Sequence, residues 1–247
     1  MLKTTNVSKS FGGIHAVDNC SCRVEQNRIT GLIGPNGAGK TTLFDLITGF
    51  INADRGSITF MNQDITNKET HTIANRGISR TFQQVRLFKH LTIREHLYMA
   101  MDNEDTPLFK NIFRSSKDTE KERQAQQVLE RVGLKKSLDT YAHNLSYGQR
   151  KLLDLAMALV KPHKFLMLDE PVAGVNPFVR QEIKKILLSL KKQGATVLVI
   201  EHDMDFVMDI CDTIIVLDAG KVLKEGRPKE IQNDKKVLEA YLGESHA

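Results

Sequence analysis

Tryptophan is missing from the 247 residues, and aromatic side chains make up only 6% of them. A module that binds single-stranded nucleic acid stacks bases on aromatic rings, so this composition disfavours one. Cysteine is scarce: Cys20, Cys22 and Cys211 are the only three. An odd count at this density excludes a disulfide scaffold, and Cys20 and Cys22 stand too close together for a zinc knuckle. Reduced thiols in a cytosolic compartment are the expectation. Long hydrophobic runs are absent too. None approaches the ~18 residues of a membrane-spanning helix, and the start MLKTTNVSKSF has no signal-peptide core. The chain is expected neither to cross a membrane nor to be exported by that route.

What is present is ordinary in bulk and particular in pattern. Hydrophobic residues make 40% and charged residues 26%, which suits a folded globular chain. A net charge of +5 reads first as a solvated surface with a few extra lysines, and second as affinity for an anion. There is no internal repeat. Residues 1–61 read as short strands broken by Gly and Asn, with one short helix, KTTLFDLITG, stopping at Gly49. Thr92 and Glu95 form a capping box that opens a helix through IREHLYMAM. The stretch DNEDTPLFKNIFRSSKDTEK, with Pro107, reads as a loop or partly ordered insertion. The following EKERQAQQVLERVGL is an amphipathic helix carrying Ala125, Val128, Leu129 and Val132 on one face and ending at Gly133. Further on, HKFLMLD, ATVLVIE and TIIVLD are continuous apolar runs, as in strands buried on both faces. A helix begins at Asn176-Pro177 and ends at Gly194. The fold expected is a parallel α/β core interrupted by a helical subdomain.

Between a predicted strand and a predicted helix stands Gly34-Pro35-Asn36-Gly37-Ala38-Gly39-Lys40-Thr41, the pattern G-x-x-x-x-G-K-[ST], followed by Thr42. A triphosphate is a dense anion that must lose water to be held. Glycines let backbone N–H groups converge on it, and the helix N-terminus adds the positive end of its dipole. Lys40 supplies a point charge for the terminal phosphates, and the Thr41 hydroxyl can ligate Mg²⁺. The expectation is a nucleoside triphosphate bound here.

Downstream, Phe165-Leu166-Met167-Leu168-Asp169-Glu170 is an apolar strand ending in two acids. Neighbouring side chains on a strand face opposite ways, so their roles must differ. Asp169 suits the magnesium side, and Glu170 at the lip can polarise a water as general base. A second strand ends in Glu201-His202-Asp203, where His202 is either a γ-phosphate contact or an ordinary surface histidine. No guanine-reading N-K-x-D sequence occurs, and the protein-kinase signatures are missing.

Leu145-Ser146-Tyr147-Gly148-Gln149 resembles the LSGGQ signature of ATP-binding-cassette ATPases, with Tyr147 in place of the first Gly. The phosphate loop, FQQ, LSYGQ, FLMLDE, AGVNP and IEH follow in that family's order over nearly the whole chain. RTFQQVRLF, LSYGQRKLLDLA and AGVNP look most like the ATP-binding subunits of branched-chain amino acid importers. The resemblance implies a P-loop NTPase core, a parallel sheet with an antiparallel β part, over residues 1–82 and 162–247, and a helical subdomain at 83–161.

It implies ATP and Mg²⁺, and two subunits packed head to tail. Each ATP then lies between one subunit's phosphate loop and the other's Ser146, Gly148 and Gln149. Ser146 reads independently as the N-cap of YGQRKLLDLAMALV, which makes half an anion site. By the same resemblance Gln83 senses Mg²⁺ and the attacking water, with Gln84 a weaker candidate. His202 becomes the switch histidine and Phe11 the ring that stacks on adenine, a buried core Phe being the alternative. Asn176 stands where many cassettes carry Asp, and reads simply as an N-cap before Pro177.

The implied partners are transmembrane permease subunits, a second ATP-binding subunit and, indirectly, a solute-binding protein, at the cytoplasmic face of the inner membrane, with no nucleic acid. The permease is expected near Gln83 to His90, with Val85, Leu87 and Phe88 in apolar contact. A lipid or lipopolysaccharide exporter, a urea importer, a soluble cassette acting on DNA or ribosomes, and a non-hydrolysing sensor are the alternatives.

Overall fold

A computed structural model describes residues 1–82, 87–101 and 115–242 of the chain. Two sheets carry the architecture. In the first, β1 (Leu2–Phe11) pairs antiparallel with β2 (Ile14–Cys20), β3 (Arg23–Val24) and β5 (Arg55–Phe60), and β6 (Gln63–Asp64) extends the edge. The second is built from β4 (Ile29–Ile33), β7 (Ile78–Arg80), β8 (Phe165–Asp169), β9 (Thr196–Ile200), β10 (Thr213–Asp218) and β11 (Lys221–Gly226). Its order is β11-β10-β4-β9-β8-β7, parallel except for β11. That exception has a local cause. Ala219 and Gly220 both have positive φ, 44° and 78°, the two-residue turn that folds a strand straight back on its neighbour.

β4, β8 and β9 are buried at every position, so their sequences show no alternation. Helix α1 (Lys40–Ile47) turns Leu43, Phe44, Leu46 and Ile47 into the core between the two sheets, among Leu2, Val17, Phe60 and Leu217. Ile73 of α2 (Thr70–Asn75) joins the same core, while on the other side the main core joins β4, β8 and β9 to the later helices. These include α3 (Ile93–Met101), α4 (Ser115–Arg131), α5 (Tyr147–Leu159) and α6 (Pro177–Lys192). Helix α5 buries Leu152, Leu153, Leu155 and Leu159 there, each side chain contributing roughly 1.5–3 kcal/mol of apolar transfer. α3, α4 and α5 also pack on one another.

The starts and stops follow the expected chemistry. Thr92 and Glu95 form the reciprocal capping box, with Thr92 N donating to Glu95 Oε2 at 2.7 Å and Glu95 N to Thr92 Oγ1 at 3.2 Å. The Asn176 side chain accepts from Val179 N at 2.9 Å, with Pro177 at the first helical position. One boundary differs. The segment read as a loop or partly ordered insertion over 102–121 is already helical from Ser115, where α4 begins, and residues 102–114 lie outside the described residues. Its apolar stripe begins only at Ala125, so hydrophobic period carries no signal for the opening turns. Polar contacts such as Glu120 with Arg123 line them instead. Among the described residues no helix is long and apolar enough to cross a membrane.

Candidate active site

Ligands of parallel sheets gather beyond the C-terminal ends of the strands. Here β4, β9 and β8 are consecutive, and Leu32, Ile200 and Asp169 form one row across them. The phosphate loop after β4, His202 after β9 and Asp169-Glu170 at the end of β8 therefore emerge side by side, spread over about 10 Å at ordinary strand spacing.

The loop's shape depends on its glycines. Gly34 has φ +148°, and a β-carbon there would sit 2.0 Å from the Leu217 carbonyl oxygen. Gly39 has φ +96° and its β-carbon would meet the Ala16 oxygen at 2.2 Å. Gly37, φ +76°, has open space and needs only the conformation. Pro35 and Ala38 are buried, while Asn36 and Gly37 face solvent. Lys40 is 6% exposed, and its Nζ donates to the carbonyls of Gly34 at 2.7 Å and Pro35 at 2.8 Å. Its charge is thus held at the mouth of the loop. Thr41 is exposed on the first turn of α1 and Thr42 is half-buried.

Asp169 is 2% exposed, and burial pushes its carboxyl above the usual carboxylate range. Arg80 opposes that shift, with Nη2 3.4 Å from Asp169 Oδ2. Arg80 also pairs with Asp45 at 2.6 Å and lies over the rings of Phe44, Phe50 and Phe82 at 5.2–5.5 Å. Asp169 Oδ1 is buried and has no hydrogen-bond partner among the described residues. A buried, unsatisfied carboxylate oxygen costs on the order of 1–3 kcal/mol unless a ligand completes it. A hard cation, reached directly or through water, would satisfy that oxygen, with the Thr41 hydroxyl a second oxygen donor.

Glu170 adopts φ +48°, a conformation costing a residue with a β-carbon roughly 1–2 kcal/mol. Its N–H donates to Ile200 O at 2.9 Å, and its Oε1 lies 3.2 Å from His202 Nε2. The base candidate and the lip histidine are thus brought together, and such a pair can orient a water and take its proton. Beneath them, Glu201 is 2% exposed and accepts from Val172 N at 2.8 Å and His202 N at 3.2 Å. Burial pushes its carboxyl up to about 7 against those backbone donors.

Ser146 caps α5, its Oγ accepting from Gln149 N at 3.3 Å while Gln149 Oε1 accepts from Ser146 N at 3.0 Å. The Gln149 side chain is engaged in this box. Gly148 is required by packing, since a β-carbon would sit 2.8 Å from Val179 Cγ2 on α6. The Tyr147 ring covers Gly174 of the AGVNP loop, whose Cβ position lies 3.2 Å away. Ser146 and Tyr147 are exposed, so this helix N-terminus lies open to solvent. Phe11 is 48% exposed at the end of β1, which rules out the buried-core alternative, and Lys9 Nζ lies 5.4 Å from its ring centre. Gln83, Gln84 and Val85 lie outside the described residues. Arg80, Glu201 and Lys151, whose Nζ donates to Glu170 O, are site residues that the motif reading did not single out.

A glycine cradle on a helix N-terminus, beside two acids at the lip of a parallel sheet, defines a nucleotide-hydrolysing P-loop protein. Residues 17–173 match the sequence profile of the ABC transporter family, and residues 221–247 match that of the branched-chain amino acid ATP-binding cassette transporter. A probable branched-chain amino acid transport ATP-binding protein LivG of Archaeoglobus fulgidus is 40% identical, the match covering 98% of this chain and 95% of the relative. The high-affinity branched-chain amino acid transport ATP-binding protein BraF of Pseudomonas aeruginosa is 38% identical, over 99% and 98%. Among solved structures, the ADP conformation of MJ1267, an ATP-binding cassette of an ABC transporter, superposes with TM-score 0.85 at 37% identity, covering 98% of both chains. The chain belongs to the ABC transporter family, in the branch of branched-chain amino acid transport ATP-binding proteins. It is an ATPase.

Proposed function

We propose that this ATPase drives an importer of branched-chain or related amino acids from the cytoplasmic face of the inner membrane, as one of two cassettes closing on two ATP molecules. The carrying observation is the lip of the parallel sheet, where Glu170, His202 and the phosphate loop emerge together. The loop from Gly34 to Thr42 binds the phosphates through backbone N–H groups, with Lys40 exchanging its carbonyl partners for phosphate oxygens. Thr41, Asp169 and, by the family resemblance, Gln83 would hold Mg²⁺, which would neutralise charge on the terminal phosphates. Glu170 accepts a proton from the water attacking the γ-phosphorus, and the bond to the bridging oxygen of ADP breaks. His202 steadies Glu170 and contacts the γ-phosphate. Phe11 stacks on adenine.

Ser146, Gly148 and Gln149 complete the pocket of a second copy or close relative. The exposed cap of α5 supports this, since an anion site open to solvent serves a phosphate delivered by another chain. The permease subunits seat a short helix between the α/β core and α3 and α5. A cleft of about 350 Å³ there is lined by Arg80, Phe82, Ala100 and Met157. Phe88 is 59% exposed, whereas Leu87 packs inward on the main core. A solute-binding protein brings the amino acid to the permease from the other side, and the names of the relatives support that cargo.

The test is Glu170→Gln. It is expected to bind ATP normally, to lower kcat at least about a hundredfold and to form a dimer with ATP on gel filtration. Near-normal turnover removes Glu170 from the base role.

A further inference from the structure

Lys151 lies on α5, about one turn beyond the exposed cap at Ser146. Most lysines on a helix run out to water, but this one turns inward and is 4% exposed. Its Nζ donates to the backbone carbonyl of Glu170 at 2.9 Å. The same carbonyl accepts from Ala173 N at 3.2 Å, and the Glu170 N–H is tied to Ile200 O at 2.9 Å. Glu170, a residue with a β-carbon held in a left-handed conformation, is therefore fixed from both sides, by β9 through its N–H and by α5 through its carbonyl. Burying an ammonium group is unfavourable without compensation. Burial does pull the Lys151 pKa down, while the carboxylates of Asp154, Glu201, Glu170 and Asp169 pull it the other way.

We infer that Lys151 is a positioning residue for hydrolysis, making the backbone of Glu170, and with it the carboxylate, follow the position of α5. This rests on the reading of Glu170 as the base. Its consequence reaches across the proposed pair. Helix α5 offers Ser146 to the phosphate in one pocket and grips the base of the other pocket through Lys151. Gly148 packed on Val179, and Tyr147 packed on Gly174, leave α5 little freedom to move without carrying that grip along. Engagement of the cap by a phosphate is thereby transmitted to the base that serves the chain's own nucleotide.

The experiment compares Lys151→Met, which keeps the length and apolar stem but loses the donor, with Lys151→Arg, which keeps a charged donor. Lys151→Gln, too short to reach the carbonyl, is measured beside them and carries the Met expectation should the Met variant fail to fold. Steady-state ATPase rates and ATP affinity are read on the full chain. The Met or Gln change is expected to lower kcat at least about tenfold, as misplacement of a reacting group does, with ATP affinity altered less than about twofold. Lys151→Arg is expected to recover most of the rate. An unchanged kcat, an equal loss of ATP affinity, or an Arg variant no better than Met overturns the inference. Failure of the underlying reading is a separate result: Glu170→Gln then keeps its turnover whatever Lys151 does.

Discussion

A β-carbon on Gly39 would stand 2.2 Å from the Ala16 oxygen, in a conformation that L side chains rarely adopt. Both costs fall on one residue, and relief of either shifts the loop that holds the phosphates. Gly39→Ala is expected to weaken ATP binding at least about tenfold and to cost about 2 kcal/mol or more in urea unfolding. Wild-type affinity in that variant would show that the loop's curvature is dispensable. At this scale the sequence was readable wherever the chemistry is contiguous. The cradle from Gly34 to Thr42 and the Asp169-Glu170 pair announce themselves as strings of residues with fixed spacing. Lys151 and Arg80 did not, because each works on a strand far from it in sequence. Helical period identifies the apolar face of α5 but not which neighbouring polar residue bends into it.

Among the elements, β9 and α5 each bring a carboxyl toward the interior. Burial raises Glu201, after β9, and Asp154, on α5, each to about 7. Between the ordinary carboxylate range and that value, the folded chain holds protons that the unfolded chain has released. Stability therefore falls as pH rises through this window, the reverse of the usual salt-bridged carboxylate. The melting temperature is expected to be lower at pH 8 than at pH 5.5, and Glu201→Gln is expected to narrow that gap. A gap unchanged in the variant would show that Glu201 is already ionised across this range. The elements themselves were mostly legible. Continuous apolar runs gave β8, β9 and β10, and caps gave α3, α5 and α6. The opening turns of α4 escaped because polar side chains line them, leaving no period to detect.

At the scale of the whole molecule, the proposed function gives one chain the parts of two half-pockets, both completed by the same partner. The phosphate loop and Glu170 lie along the sheet lip, while the cap at Ser146 opens to solvent on a helix whose other turns are packed inward. The order of the motifs was visible in the sequence, but not the exposure of Ser146, which depends on how α5 docks against α6. The most direct measurement is the ATPase rate per chain as a function of chain concentration, with ATP saturating. A composite pocket predicts a specific rate that climbs with concentration and levels off as pairs form. A specific rate that stays constant down to dilutions where only single chains remain would contradict it.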